Sequence, residues 1–205
     1  MGHVRPRRER LERRLLERLL TTLRRVPAIV IPYRGDAKRR LPSSLRAAVA
    51  VAMLGDVVEA AAQVGRVLVV TDDASVVPGD AEVVGDPGEG LGAAVAAGLS
   101  RVREHALVVN ADLPAATPAA LRRLAEAGLA LVEAPDGTTN ALSLPDPGMY
   151  AALYGPGSAS RFRAHAGFAT VRIPELEIDV DSDADLERLD ARIGSRTRAL
   201  LAVPA

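Results

Sequence analysis

Cysteine and tryptophan are absent from the 205 residues, histidine occurs three times, and two phenylalanines and three tyrosines make up the whole aromatic complement. The first absence removes any disulfide framework, thiolate metal site or cysteine nucleophile, and it suits a reducing, cytoplasmic setting. With so few rings, base stacking is not the recognition device of this chain, and no nucleic-acid partner is expected. His3, His105 and His165 show no metal-ligand spacing, and no serine, histidine and aspartate arrangement suggests a hydrolase. The longest apolar runs are strand-sized, so no membrane span is expected.

Net charge is also missing, but its zero hides an asymmetry. Residues 1–25 carry nine arginines against three glutamates, which leaves 17 cationic against 23 acidic side chains in the rest. So acidic a body is a poor general binder of nucleic acid. Leu11, Leu15, Leu16, Leu19, Leu20 and Leu23 recur at helical spacing, so residues 1–26 read as an arginine-rich amphipathic helical extension. A surface helix or a homodimer contact is its plain reading; attachment to an anionic membrane or to nucleic acid is the alternative. Residues 27–205, with the ordinary balance of 48% apolar and 25% charged residues found across the chain, read as one domain.

From Pro27 onward, strand and helix patterns alternate. Strands are expected at Ala28 to Ile31, Val67 to Thr71, Ala81 to Val84, Ala106 to Asn110, Leu129 to Glu133, Asn140 to Leu144 and near Ala169 to Ile173. Helices are expected at Ser44 to Gln63, Leu91 to Arg103 and Pro118 to Ala127, the last opened by Thr117 as cap and Pro118 in the first turn. A final helix starts near Ser182, where Ser182 and Asp185 have capping-box spacing. The alternation predicts a three-layer α/β/α sandwich around a mostly parallel, mixed, Rossmann-like sheet.

Two acidic motifs stand at strand ends. Val108-Val109-Asn110-Ala111-Asp112-Leu113-Pro114 closes an apolar run with a carboxylate, which is where open α/β sheets bind ligands. Asp179-Val180-Asp181 follows another short apolar stretch, and the period of two sets its two acids on one face. Asp112, Asp179 and Asp181 together are a donor set for Mg²⁺, which binds through one or two carboxylates and substrate phosphates. A turn role for Asp112 and a helix-dipole role for the other two are the structural alternatives.

The loop after the first strand supplies four cations in seven residues: Arg34, Lys38, Arg39 and Arg40. Arginine forks and a lysine point charge suit a triphosphate. Gly90 and Gly92, in Asp86-Pro87-Gly88-Glu89-Gly90-Leu91-Gly92, open a helix whose amino end favours anions; a plain turn and cap explains them equally well. Gly137-Thr138-Thr139-Asn140 and Tyr154-Gly155-Pro156-Gly157-Ser158 are small-residue loops able to cradle a phosphorylated acid.

Taken in order, Ala37-Lys38-Arg39-Arg40-Leu41, Asp112-Leu113-Pro114, Thr139-Asn140-Ala141-Leu142, Tyr154-Gly155-Pro156-Gly157-Ser158 and Asp179-Val180-Asp181 resemble the CofC and FbiD guanylyltransferases over roughly residues 28 to 190. That family builds the activated precursor of the deazaflavin redox coenzyme from GTP and 2-phospho-L-lactate or phosphoenolpyruvate. The resemblance implies a MobA-like fold, Mg²⁺ on Asp112, Asp179 and Asp181, the phosphorylated three-carbon acid on Thr139, Gly155 and Ser158, and the GTP phosphates on Lys38 and Arg40. Asp112, Lys38 and Arg40 are then the catalytic candidates, with Arg34, Arg39, Gly90 and Gly92 beside the nucleotide. Arg46 also falls at a family arginine.

The chain departs from the family pattern at three places. Arg34 stands where a lysine is usual, in a loop that is shorter than in relatives; Gly92 replaces a frequent asparagine; and Phe162 replaces a frequent histidine. Three other readings stay open: a molybdopterin-type nucleotidyltransferase, whose glycine-rich opening loop is lacking between Pro32 and Pro42; a sugar-nucleotide glycosyltransferase using Asp179-Val180-Asp181; and a non-catalytic nucleotide-binding relative.

Overall fold

The computed structural model describes residues 26–35, 43–79, 81–180, 182, 185 and 192–202, with backbone alone at 43–46. The arginine-rich extension and the basic segment 36–42 lie outside the described residues.

Seven strands form one sheet: β1 (Ala28–Pro32), β2 (Arg66–Thr71), β3 (Glu82–Gly85), β4 (Ala106–Val109), β5 (Ala130–Glu133), β6 (Thr139–Leu144) and β7 (Ala169–Thr170). Their order is β3-β2-β1-β4-β6-β5-β7. All run parallel except β6, which pairs antiparallel with both β4 and β5. β1 is fully buried, as are β4 and β6. Burial on both faces explains why the central strands read as unbroken apolar runs rather than alternating ones.

Each sheet face carries its own core. On one, Ile29, Ile31, Val69, Leu107 and Val109 pack against α1 (Ser43–Ala62) and α3 (Pro118–Glu126). On the other, Val30, Leu68, Val70, Val108 and Leu142 pack against α2 (Leu91–Leu99) and α4 (Ser158–Ala166). The three-layer sandwich is thus the architecture observed. α2 sits so close to the sheet that a β-carbon on Gly98 would lie 2.4 Å from Val30 Cγ1, which only glycine avoids.

Several element boundaries move. α2 ends at Leu99 rather than Arg103, where the Ser100 hydroxyl turns back to the Ala97 carbonyl at 2.7 Å. The strand expected over Ala169 to Ile173 shrinks to two residues, because the chain turns at Ile173 into the short α5 (Pro174–Glu177). α4, α5 and α6 (Ser195–Leu201) are helices that periodicity did not announce. The cap on α3 is as expected: Thr117 Oγ1 accepts from the Ala120 amide at 3.1 Å. The helix expected from Ser182 lies mostly outside the described residues; at its start the Ser182 amide and hydroxyl both donate to Asp185 Oδ2 at 3.0 and 2.7 Å.

Candidate active site

The strand order reverses direction around β1, whose neighbours are β2 on one side and β4 on the other. β1 and β4 are adjacent and parallel, so the loops leaving their carboxyl ends stand side by side, and it is outside the carboxyl ends of such strands that open α/β sheets bind ligands. A cavity of about 180 Å³ lies there, lined by Pro32, Tyr33 and Arg34 at and after the end of β1 and by Asn110, Ala111 and Asp112 after β4, with Met53 of α1 and Leu91 of α2.

Asp112 thus stands at the cavity wall. The second acidic motif comes to it through the backbone: the Val180 amide donates to the Asp112 carbonyl at 3.0 Å, setting half-buried Asp179 beside the β4 end. Asn140 of β6 fixes the approach, its Nδ2 donating to the carbonyls of Leu176 and Glu177 at 3.1 and 3.0 Å. Asn110 does the same one strand over, donating from Nδ2 to the Thr139 carbonyl at 3.3 Å. Its Oδ1 is buried with no hydrogen-bond partner among the described residues, an acceptor that a ligand donor would satisfy. Asp181 lies outside the described residues, and among those described no three acidic or histidine side chains form a metal cluster by themselves.

Thr139, Gly155 and Ser158 are brought together. Thr139 Oγ1 and Ser158 Oγ share a buried hydrogen bond of 2.9 Å, and the Ser158 amide donates to the Gly155 carbonyl at 3.0 Å. Gly155 and Gly157 take φ of 116° and 69°, which a side chain would strain, so the loop needs its glycines to fold onto the start of α4. Both hydroxyls are shut from solvent, so Gly155, Pro156 and Gly157 form the loop's accessible face.

Arg34 lines the cavity and pairs through Nε with Asp86 Oδ2 at 3.1 Å. Lys38, Arg39 and Arg40 lie outside the described residues, as does the side chain of Arg46. Gly90 caps α2 at φ 99°, and Gly92 presents its carbonyl to the Tyr150 hydroxyl at 2.9 Å.

Residues 45–153 match the model of the MobA-like NTP transferase domain. A phosphoenolpyruvate guanylyltransferase of Thermomonospora curvata is 34% identical, with 85% of this chain and 88% of that protein covered. The chain belongs to the MobA-like NTP transferase family. Within it, this transferase is closely related to the CofC and FbiD guanylyltransferases. A 2-phospho-L-lactate guanylyltransferase of Haloferax volcanii is 36% identical, covering 77% of this chain and 82% of its own. In fold, this transferase resembles a manganese complex of a Mycobacterium tuberculosis H37Rv protein, with TM-score 0.55, 21% identity, and 79% and 96% of the two chains covered.

Three departures from the family pattern now have surroundings. At Gly92 a β-carbon would fall 2.9 Å from Ala152 Cβ, so the asparagine of relatives is replaced where two backbones touch. Phe162 is fully buried, edge-on to Tyr154 and to Phe168 with ring centroids 5.4 Å apart in both pairs. An apolar ring is the packing choice there. Exposed His165 does not enter that cluster. Arg34 has an acidic partner that its position in the sequence did not reveal.

Sequence reasoning assigned no role to Asn110, Asn140 or Asp86. The two asparagines carried a usable signal, since an amide within an apolar strand must find partners when buried. Asp86 carried none.

Proposed function

We propose that this transferase moves GMP from GTP to the phosphate of phosphoenolpyruvate or 2-phospho-L-lactate and releases pyrophosphate. The hydrogen bond from Val180 to Asp112 carries the reading, because it gathers two acidic segments at the sheet's switch point, where a nucleotide would lie. The names of the curated relatives support the choice of donor and acceptor.

Asp112 and Asp179, with Asp181, offer hard carboxylate oxygens, the donor type that would hold Mg²⁺. The ion, when bound, neutralises triphosphate charge and favours departure of pyrophosphate. The rest is positioning by the chain. An oxygen of the acid's phosphate attacks the α-phosphorus in line; the new P–O bond forms as the bond to the β-phosphate breaks. That oxygen is already ionised, so no general base is required. Lys38 and Arg40 hold the GTP phosphates, and the loop from Gly155 to Ser158, braced by the buried Thr139–Ser158 hydrogen bond, holds the acid.

Incubation of the full chain with GTP, Mg²⁺ and either acid should release pyrophosphate and give a product heavier than the acid by one GMP unit. Chelation of the metal should stop it. Asp112→Asn should lower kcat by at least about a hundredfold with the unfolding midpoint unchanged, since several kcal/mol of charge stabilisation ride on the ligand. A folded wild-type chain that leaves both acids untouched would sink the proposal.

A further inference from the structure

Asp86 is a loop carboxylate that lies outside the cavity lining and opens the glycine motif before α2 without a role of its own there, yet its side chain is only 4% exposed. Its two oxygens are both engaged. Oδ2 takes Arg34 Nε at 3.1 Å, and Oδ1 takes the Gly88 amide at 2.8 Å. Its own amide donates to the Thr71 carbonyl at the end of β2 at 3.2 Å. One residue therefore ties the loop after β1, the end of β2 and the glycine turn that opens α2.

The consequence for Arg34 is chemical. A guanidinium held at Nε by a buried carboxylate keeps its terminal nitrogens, four N–H donors in a fixed plane, for another partner. Arg34 lines the cavity and its side chain is 39% exposed, so those donors belong to a residue that a ligand can reach. An arginine on an unrestrained loop would lose rotamer entropy on meeting a phosphate; one already held loses less.

We infer that Asp86 is a positioning residue for the nucleotide, orienting Arg34 toward the GTP phosphates and fixing the Gly88–Gly90 turn at the amino end of α2. This rests on the guanylyltransferase reading and adds to it a residue that touches no substrate. The pair contributes to GTP affinity and leaves the acid and the chemical step alone.

A double-mutant cycle on the full chain tests it, with equilibrium GTP binding measured without acceptor alongside steady-state kinetics. Asp86→Asn keeps the size of the side chain and the acceptor for Gly88 but removes the charge opposite Arg34; Arg34→Gln leaves the Asp86 turn intact. Each single change should raise the GTP Kd and KM about tenfold, the scale of one charge-assisted hydrogen bond. kcat and the KM of the acid should not move, the double variant should be no worse than the worse single one, and Arg34→Lys should recover part of the loss.

A folded Asp86→Asn protein with unchanged or tighter GTP binding overturns the inference, as do two effects that multiply in the double variant. If Asp86→Asn does not fold, Arg34→Gln decides alone by the same criterion. A wild-type chain that binds no GTP fails differently: it overturns the guanylyltransferase reading and the positioning role with it.

Discussion

At Gly92 the first turn of α2 meets the loop before α4: an added β-carbon would sit 2.9 Å from Ala152 Cβ and 3.3 Å from its Cα, and the Gly92 carbonyl accepts the Tyr150 hydroxyl. Alanine is the better helix former by about 1 kcal/mol. Against that stands overpacking, which costs about 1–3 kcal/mol where backbones must separate. Gly92→Ala should therefore destabilise the protein, seen as a lower denaturation midpoint at unchanged m-value; a gain in stability would show that the two segments part freely. Residues differ in how openly they declare themselves. Asp112 stands out in the sequence because a carboxylate that closes an apolar strand lies where open α/β sheets bind ligands. Asp86 does not, since its surroundings in the chain are those of any turn, and its partner Arg34 comes from another strand's end.

Among the elements, α6 shows how a short arginine-bearing segment becomes a helix. Its first amides are satisfied by a carboxylate from α1: Asp56, only 6% exposed, accepts from the Arg196 and Thr197 amides at 2.9 and 3.0 Å. Gly194 makes room, since a β-carbon there would lie 2.2 Å from Asp56 Cγ, and its amide donates to the Pro114 carbonyl at 2.7 Å. α6 thereby braces both α1 and the loop that carries Asp112. A small third core of Val49, Met53, Ala115, Val180 and Ile193 fills the space between them. Asp56→Ala would leave two amides without their acceptor, and a stability loss of about 2–4 kcal/mol is expected from two charge-assisted bonds. Denaturant unfolding checks the size, and hydrogen exchange should show the amides of α6 losing protection before those of the sheet. A loss below about 0.5 kcal/mol, the range of an ordinary surface change, would exclude this capping role. Periodicity could not announce α6, because most of its stabilisation comes from a residue on another helix. Helices α1 and α3, by contrast, carry their own apolar faces and, for α3, its own cap.

For the molecule as a whole, the few aromatics divide between the two faces of the sheet. Tyr150, Tyr154, Phe162 and Phe168 pack together on the face covered by α2 and α4, and Tyr33, in the other core, lines the cavity. Burial pushes all three tyrosine phenols up, joined at Tyr154 by the neighbouring Tyr150 and at Tyr33 by Asp73 and Asp72. Unfolded tyrosines ionise at about pH 10. Above that pH the unfolded chain has released protons that the folded one still holds, so stability is intact below about pH 10 and falls as pH rises toward the raised native values. Phenolate absorbance of the native protein should appear together with unfolding, and Tyr150→Phe should make the alkaline decline shallower. Phenolate signal at ordinary pH from a folded chain would contradict the burial.

What local sequence determined here was the set of strands and main helices, the carboxylates at strand ends and, through motif order, the family. Each of these depends on residues near one another in the chain, where periodicity, caps and breakers act. The tertiary structure alone decided that β6 enters antiparallel between β4 and β5, that Val180 meets Asp112, that Asp56 caps α6 and that Asp86 holds Arg34. Those are contacts between distant segments, chosen by which arrangement buries the most apolar surface while leaving the fewest polar groups unpaired, a balance no local window contains.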